Sequence, residues 1–215
     1  MGKEIVWDHL VEARTRYPKL SDPVEENNVQ KIVGAIDVVD DAGRYWDTYD
    51  VSIIIPAKYP NDLPILIETS NKIERHIDWH IIGEGFCCLS TKAKIFHELK
   101  GDLTLLRWLD KFAHPYLANH VYKLKTGHYA NEEFSHGTLG IIEGWRQILD
   151  CNDTKKVLLQ LKRMAGIESL PLNQLCFCNS GKKYKRCYLL NESAHRMNIP
   201  RYQIISDIKA IEKFT

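Results

Sequence analysis

The sequence predicts an α+β fold, in which an N-terminal helix and an antiparallel β-meander precede a small α-helical domain with a cysteine knuckle. Near the N terminus, apolar residues recur every three to four positions, which is the period of a helix with one buried face. The next segment is rich in β-branched and aromatic residues separated by turn motifs. Beyond residue 103 the helical period returns, and three cysteines cluster near residue 180.

The first helix is predicted over Lys3–Tyr17. Its apolar residues fall on one side of a helix, namely Val6, Leu10, Ala13 and Tyr17. Pro18 and Pro23 follow within six residues, and a helix cannot continue through them because proline has no amide hydrogen and clashes with the preceding turn.

The meander is predicted between this helix and residue 70. The run Asp40–Gly43, DDAG, has the composition of a turn and separates two segments with high β-propensity. After the breaker KYPNDLP, Ile65–Ser70 has the pattern of another strand. This half therefore contains three strands, or four if the first segment is divided.

The second half is predicted to be helical. The predicted helices span Leu103–Lys125 with a kink near Pro115, Thr138–Leu149, Thr154–Met164 and a final helix over 200–214 with Ile204, Ile208, Ile211 and Phe214 on one face. The boundary between the α+β part and the helical part with the cysteine knuckle is predicted near Lys125 to Phe134, so the predicted domains are 1–125 and 126–215.

Composition narrows the classes of function. The formal net charge is +1, which disfavours a dominant nucleic-acid or membrane partner. No apolar run approaches the roughly 18 residues that a membrane span needs. The start MGKEIVWDHL lacks the basic-then-apolar order of a secretory signal. We therefore expect a cytoplasmic protein, whose clustered cysteines are metal ligands or reactive thiols rather than disulfides.

Two adjacent cysteines, Cys87 and Cys88, follow a glycine-bearing loop in the stretch GEGFCCLS. Cysteine is often a small buried hydrophobe, and a disulfide between neighbours is strained. A loop position favours exposure, which a reactive thiol requires. His76, Asp78 and His80 lie shortly before the pair. They are either structural residues or partners of a nucleophilic cysteine.

The order of these motifs resembles the ubiquitin-conjugating enzyme family. Tyr59-Pro60 with Pro64 is similar to the family's tyrosine-proline turn, and GFCCL is similar to its catalytic cysteine setting if Cys88 is the nucleophile, with Gly85 before it and Leu89 after it. The family's His-Pro-Asn signature is not intact. Without gaps, Asp78-Trp79-His80 occupies its place, and a shifted alignment uses His76-Ile77-Asp78. Such divergence is similar to that of bacterial relatives, some of which lie in antiphage operons.

The resemblance implies a conjugating enzyme that holds a protein C terminus as a thioester on Cys88 and transfers it to an acceptor amine. His80 or His76 would donate to the oxyanion in place of asparagine, and Asp78 would orient a histidine or deprotonate the amine. The implied donor is a cGAS-like nucleotidyltransferase or a ubiquitin-like protein. Two alternatives stay open: a catalytically inactive adaptor of the same fold, and, with less support, a cysteine hydrolase.

The C-terminal motif CFCNSGKKYKRC is a second candidate site. Cys176, Cys178 and Cys187 have a spacing at which thiolates can surround a tetrahedral zinc ion. The stretch resembles the SEC-C motif, which ends in Cys-His or Cys-Cys, whereas Tyr188 follows Cys187 here. His195 is the nearest downstream fourth ligand, although eight residues of helix would place it roughly 12 Å away. We expect Zn²⁺ in a structural role, or three packed thiols without metal.

Basic residues surround the knuckle, namely Lys182, Lys183, Lys185 and Arg186. They could contact phosphates, but few aromatic residues accompany them for base stacking. A solvated basic face or a surface for a protein partner is therefore the favoured interpretation.

Overall fold

The computed structural model describes residues 2–26, 29–130, 134–176 and 180–214. The chain divides into two compact units, one formed by Met1–Ser90 with Leu103–Glu133, the other by Thr91–Asp102 with Phe134–Thr215. The division differs from the predicted ranges 1–125 and 126–215, because a short helix within the first range packs with the helices of the second unit. An N-terminal helix, an antiparallel sheet and further helices confirm the α+β class.

Helix α1 (Gly2–Arg14) begins the first unit. The four residues of the predicted apolar face are all buried: Val6, Leu10, Ala13 and Tyr17. The helix ends before Tyr17, whose amide still donates to the Ala13 carbonyl at 2.8 Å. Pro18 then prevents a further turn.

A six-stranded antiparallel sheet forms the body of the first unit. Its strands are β1 (Val24–Glu26), β2 (Val29–Val39), β3 (Tyr45–Ile55), β4 (Ile65–Glu68), β5 (Ile81–Ile82) and β6 (Phe86–Cys87), in the spatial order β1-β2-β3-β4-β6-β5. The predicted turn after Val39 joins β2 and β3, and the Asp40 carboxylate accepts the amides of Ala42 and Arg44 there. Ile32, Ile36 and Ile53 on the inner face are fully buried.

The β5–β6 hairpin occupies the segment that the sequence predicts to be a glycine-bearing loop. Ile82 pairs with Phe86, and Ile67 of β4 pairs with Phe86 on the other side. Each strand has only two residues, which is too short for alternation to be recognised in a sequence. Cys87 therefore lies in the strand next to the edge strand β5, and Cys88 follows it directly.

The predicted helix over 103–125 is present, but it is interrupted by a π-helical turn. It consists of α3 (Leu105–Trp108), a π-helical turn (Leu109–Ala113) and α4 (His114–Thr126). The His114 amide donates to the Leu109 carbonyl, five residues back. Pro115 has no amide hydrogen for a regular helical bond, so the irregular turn lies next to the predicted kink.

Within the described residues, five α-helices build the second unit: α2 (Lys92–Leu99), α5 (Gly137–Leu149), α6 (Thr154–Met164), α7 (Tyr188–Asn198) and α8 (Arg201–Phe214). Helices α5, α6 and α8 agree with the predicted spans. Trp145, Leu161 and Ile211 are fully buried in this core. Phe214 was predicted on the apolar face of α8, but it ends the helix and is 54% exposed.

A buried carboxyl lies in this helical core. Asp207 accepts a hydrogen bond from Trp145 Nε1 at 2.8 Å and another from Gln203 Nε2 at 2.8 Å. Desolvation raises the pKa of Asp207 to about 6, although both hydrogen bonds oppose that shift.

Across the described ranges, no helix combines the length and the apolar character that crossing a membrane would require.

Candidate active site and cysteine knuckle

The two adjacent cysteines face opposite sides of the β5–β6 hairpin. Cys87 pairs with the fully buried Ile81, and its Sγ lies 3.4 Å from the Gly85 carbonyl oxygen. Cys88 is exposed, and its amide donates to the His80 carbonyl at 2.7 Å. Because successive side chains of a strand alternate, the hairpin turns Cys87 inward and Cys88 outward.

Burial raises the pKa of both thiols above the ordinary value for cysteine. Burial raises the pKa of Cys87 to about 12, against weaker opposing hydrogen bonds from Tyr116 and a backbone group. Partial desolvation also raises the pKa of Cys88 above its ordinary value. Both thiols are therefore protonated at neutral pH. A reaction at Cys88 requires removal of its proton during the step rather than a stored thiolate.

The three other predicted site residues lie in and beside a single 3₁₀ turn, Ile77–Trp79. His76 precedes the turn, and its Nδ1 accepts the Asp78 amide at 3.2 Å and lies 3.4 Å from Asp78 Oδ2. His80 ends the turn in the left-handed region, with φ of 49°. The structure thus pairs His76 with Asp78, and it pairs His80 with Cys88 through the backbone.

An ion pair between a buried glutamate and a half-buried arginine connects this turn to the cysteine hairpin. Glu68 is fully buried, and its carboxylate contacts the Arg75 guanidinium at 2.5 Å. Arg75 also donates to the Glu68 carbonyl at 2.8 Å, and the Glu68 amide donates to the Gly85 carbonyl at 2.9 Å. A side chain at Gly85 would begin 2.2 Å from the Glu68 carbonyl oxygen. Only glycine therefore allows this close approach of the hairpin to β4.

Tyr116 of helix α4 contacts the backbone of the candidate site. This buried residue donates its hydroxyl to the His80 carbonyl at 3.0 Å, the same oxygen that accepts the Cys88 amide. Its ring meets the ring of His120 edge-on at 4.5 Å. Burial, with smaller contributions from Lys123 and His80, lowers the pKa of His120 to about 3, so this histidine is neutral.

Lys123 lies one turn further along α4 and reaches the 3₁₀ turn. Its Nζ donates to the Asp78 carbonyl at 3.0 Å and lies 4.2 Å from the Trp79 ring centre and 3.9 Å from that of Tyr129. Each cation–π contact contributes about 0.5–1 kcal/mol at such a partly exposed site. Sequence reasoning missed Lys123, Tyr116 and His120. The sequence does contain one indication for His120. It follows Tyr116 by four residues, so it lies on the same helical face as the apolar residues that are predicted to be buried.

The cysteine knuckle belongs to the second unit. Leu175 and Lys183 form an antiparallel bridge, and the Cys176 amide donates to the Lys182 carbonyl at 2.8 Å. Cys176 is buried, and Cys187 Sγ lies 3.4 Å from Ser180 Oγ. Cys178 lies outside the described residues. His195 belongs to α7, but its side chain also lies outside the described part of the chain.

The described residues supply only two of the three predicted thiolates. Within the described ranges, no group of three or more histidine, cysteine or acidic residues could hold a metal ion. The chemistry of Cys176 and Cys187 suits Zn²⁺, but four ligands are needed for a closed structural site. Zinc binding therefore stays a prediction.

Tyr184, at the centre of the knuckle, is buried. Its hydroxyl donates to the Glu192 carboxylate, and the Arg163 guanidinium lies 3.8 Å from its ring centre. Arg163 and Glu192 are themselves 3.7 Å apart and buried. This packing removes Tyr184 from any role in base stacking and leaves the surrounding lysines as an exposed basic surface.

The SEC-C motif family matches residues 173–187, which agrees with the resemblance seen in the sequence. Comparison with curated proteins and with solved structures gave no match.

Proposed function

We propose that the first unit is a conjugating enzyme of the ubiquitin-conjugating type, which holds a protein C terminus as a thioester on Cys88 and transfers it to an amine. The observation that supports this most is the exposure of Cys88 on a hairpin whose other cysteine faces inward. The succession of α1, the antiparallel strands, the Tyr59-Pro60 turn and the cysteine hairpin agrees with that fold type.

The chemistry requires two acyl transfers. In the first, the Cys88 sulfur loses its proton and attacks an activated carbonyl carbon, so that a C–S bond forms and the activating group leaves. In the second, an amine attacks the thioester carbon, a C–N bond forms, the C–S bond breaks, and the amine's proton passes to a base. Asp78 is 72% exposed and is a candidate for that base. A donor aimed at the oxyanion typically contributes a few kcal/mol. His80 and His76 are the candidates for it.

A peptide thioester is a suitable donor probe, because it needs no activating enzyme. The full chain is incubated with a glycine-ending peptide thioester and analysed by intact mass under non-reducing conditions. We expect an adduct on Cys88 that dithiothreitol removes and that free lysine converts to an amide. Cys88→Ala should form none, while Cys87→Ala should retain it. An unmodified wild-type chain, or an adduct on Cys87 alone, would refute the assignment.

The second candidate is an adaptor of the same fold that binds a partner without a thioester. The raised pKa of Cys88 and the broken His-Pro-Asn signature favour it. This function predicts a partner complex that is unchanged in Cys88→Ala and insensitive to dithiothreitol.

Zinc in the SEC-C segment would serve the second unit as a structural element, held by Cys176, Cys178 and Cys187 with His195 as the fourth candidate. The donor protein is proposed to be a cGAS-like nucleotidyltransferase or a ubiquitin-like protein, and the acceptor an amine.

A further inference from the structure

The outward face of the β5–β6 hairpin holds more than the thiol. Ile82 and Phe86 pair across the two strands, and they are 48% and 39% exposed. Phe86 lies two residues before Cys88, so their side chains emerge on the same face. Their neighbours on the two strands, Ile81 and Cys87, face the other side of the hairpin, toward the interior. An apolar surface therefore adjoins the exposed cysteine.

This surface lies within reach of anything acylated on Cys88. An extended peptide advances about 3.3 Å per residue, and Phe86 and Cys88 are two strand residues apart. Consider a donor tail that is attached to Cys88 through its terminal carbonyl and runs extended along β6. The second or third residue from its C terminus would then lie against Phe86 and Ile82. Because the donor is covalently bound to Cys88, the segment that reaches this surface is the C-terminal end of the donor.

We propose that Ile82 and Phe86 bind the last residues of the donor, and that this donor has an uncharged, apolar side chain at the second or third position from its C terminus. The inference rests on the proposed thioester function. Burial of a donor side chain against Ile82 and Phe86 removes apolar area of both partners from water. Glu84, exposed in the turn between the strands, further disfavours an acidic residue there.

The test uses three pentapeptide thioesters of mercaptoethanesulfonate that differ only in having leucine, serine or glutamate at the second and third positions from the end. In each reaction the Cys88 sulfur loses its proton and attacks the carbonyl carbon, a new C–S bond forms, and mercaptoethanesulfonate leaves as a thiolate that can take up a proton. We expect the leucine probe to load the full chain about tenfold faster than the serine probe. The glutamate probe should be the slowest.

Phe86→Ala and Ile82→Ala should each reduce the leucine-to-serine ratio at least severalfold. Val33→Ala, which truncates a residue of similar exposure on β2, should leave it unchanged. A merely loosened hairpin would slow all three probes alike and would leave the ratio intact. The rate of Cys88 alkylation by iodoacetamide reports separately on whether each variant keeps the hairpin.

The outcomes separate the two proposals. Loading of Cys88 at one rate by all three probes would overturn this inference and leave the thioester function standing. A ratio that persists in Phe86→Ala and Ile82→Ala, with normal alkylation, would also overturn it. Absence of loading by every probe would overturn the proposed function and this inference together.

Discussion

Replacing Gly85 by alanine should disrupt the contact between the β5–β6 hairpin and β4. Gly85 has φ of 109°, a backbone conformation that L-residues rarely adopt. The new Cβ would lie 2.2 Å from the Glu68 carbonyl oxygen and 3.1 Å from Arg75 Nη2. Real Cβ atoms do not approach backbone oxygens so closely, so the hairpin must move away from β4.

The expected loss of stability can be worked out from the backbone strain and from the interactions that this movement weakens. The strained φ costs about 1–2 kcal/mol for a residue with a Cβ. Separation of the strands weakens the hydrogen bond from the Glu68 amide to Gly85 and exposes the Glu68–Arg75 pair, which adds about 1–3 kcal/mol. Gly85→Ala should therefore destabilise the first unit by about 2–5 kcal/mol. This is a large fraction of the roughly 5–15 kcal/mol by which native domains are stable.

Gly83→Ala is the matched control within the same hairpin. Gly83 also has a positive φ, 51°, but the nearest atom to its added Cβ is Phe86 Cδ2 at 3.9 Å. It should cost only the conformational part, about 1 kcal/mol. Hydrogen exchange read by mass spectrometry, on peptides from the first unit in increasing urea, measures both. A Gly85→Ala variant no less stable than Gly83→Ala would refute this account of the close approach.

Three further changes have expected results. Tyr116→Phe should destabilise the first unit by about 1 kcal/mol and speed amide exchange around His80 and Cys88, because the hydroxyl that holds the His80 carbonyl is lost. The pKa of Asp207 is about 6 in the folded chain against an ordinary 3.8, so the folded state binds the extra proton between those values. The stability of the second unit should therefore fall as pH rises from 4 to 7, by at most about 3 kcal/mol, and Asp207→Asn should flatten this slope. Finally, the purified chain should contain about one zinc ion, which Cys176→Ser and Cys187→Ser lose.

Each of these has a contradicting result. Unchanged exchange in Tyr116→Phe would mean that the hydroxyl does not hold the hairpin. A pH slope that survives in Asp207→Asn would assign it to another group. Zinc below about a tenth of an ion per chain, after purification without chelators, would mean that the knuckle is packed without metal.

The long elements were predictable because their signals are local. The apolar face that begins in α1 repeats over about three turns. Helix α6 begins where Asp153 accepts the amides of Lys155 and Lys156, and it ends where the period stops. Such periodicity arises within one element, so it can be recognised without its partners. The SEC-C segment was equally accessible, since cysteine spacing is a property of the sequence itself.

The environment of the candidate site was not predictable in the same way. Glu68 and Arg75 are seven residues apart and have no pattern that marks them as an ion pair with a buried carboxylate. Tyr116 and His120 belong to a helix whose apolar face looks like any other, yet Tyr116 shares the His80 carbonyl with Cys88. The Tyr116 contact joins segments that are 36 residues apart in sequence.

The sequence by itself determined the α+β class, the main helices, the β2–β3 turn and the presence of two cysteine motifs, because propensity, periodicity and spacing act over a few residues. Only the tertiary structure decided that Cys87 faces inward and Cys88 outward, since a two-residue strand acquires its orientation from pairing with β4 and β5. The tertiary structure also assigned residues 91–102 to the second unit. Side-chain direction and packing partners depend on contacts across the chain, which no local pattern encodes.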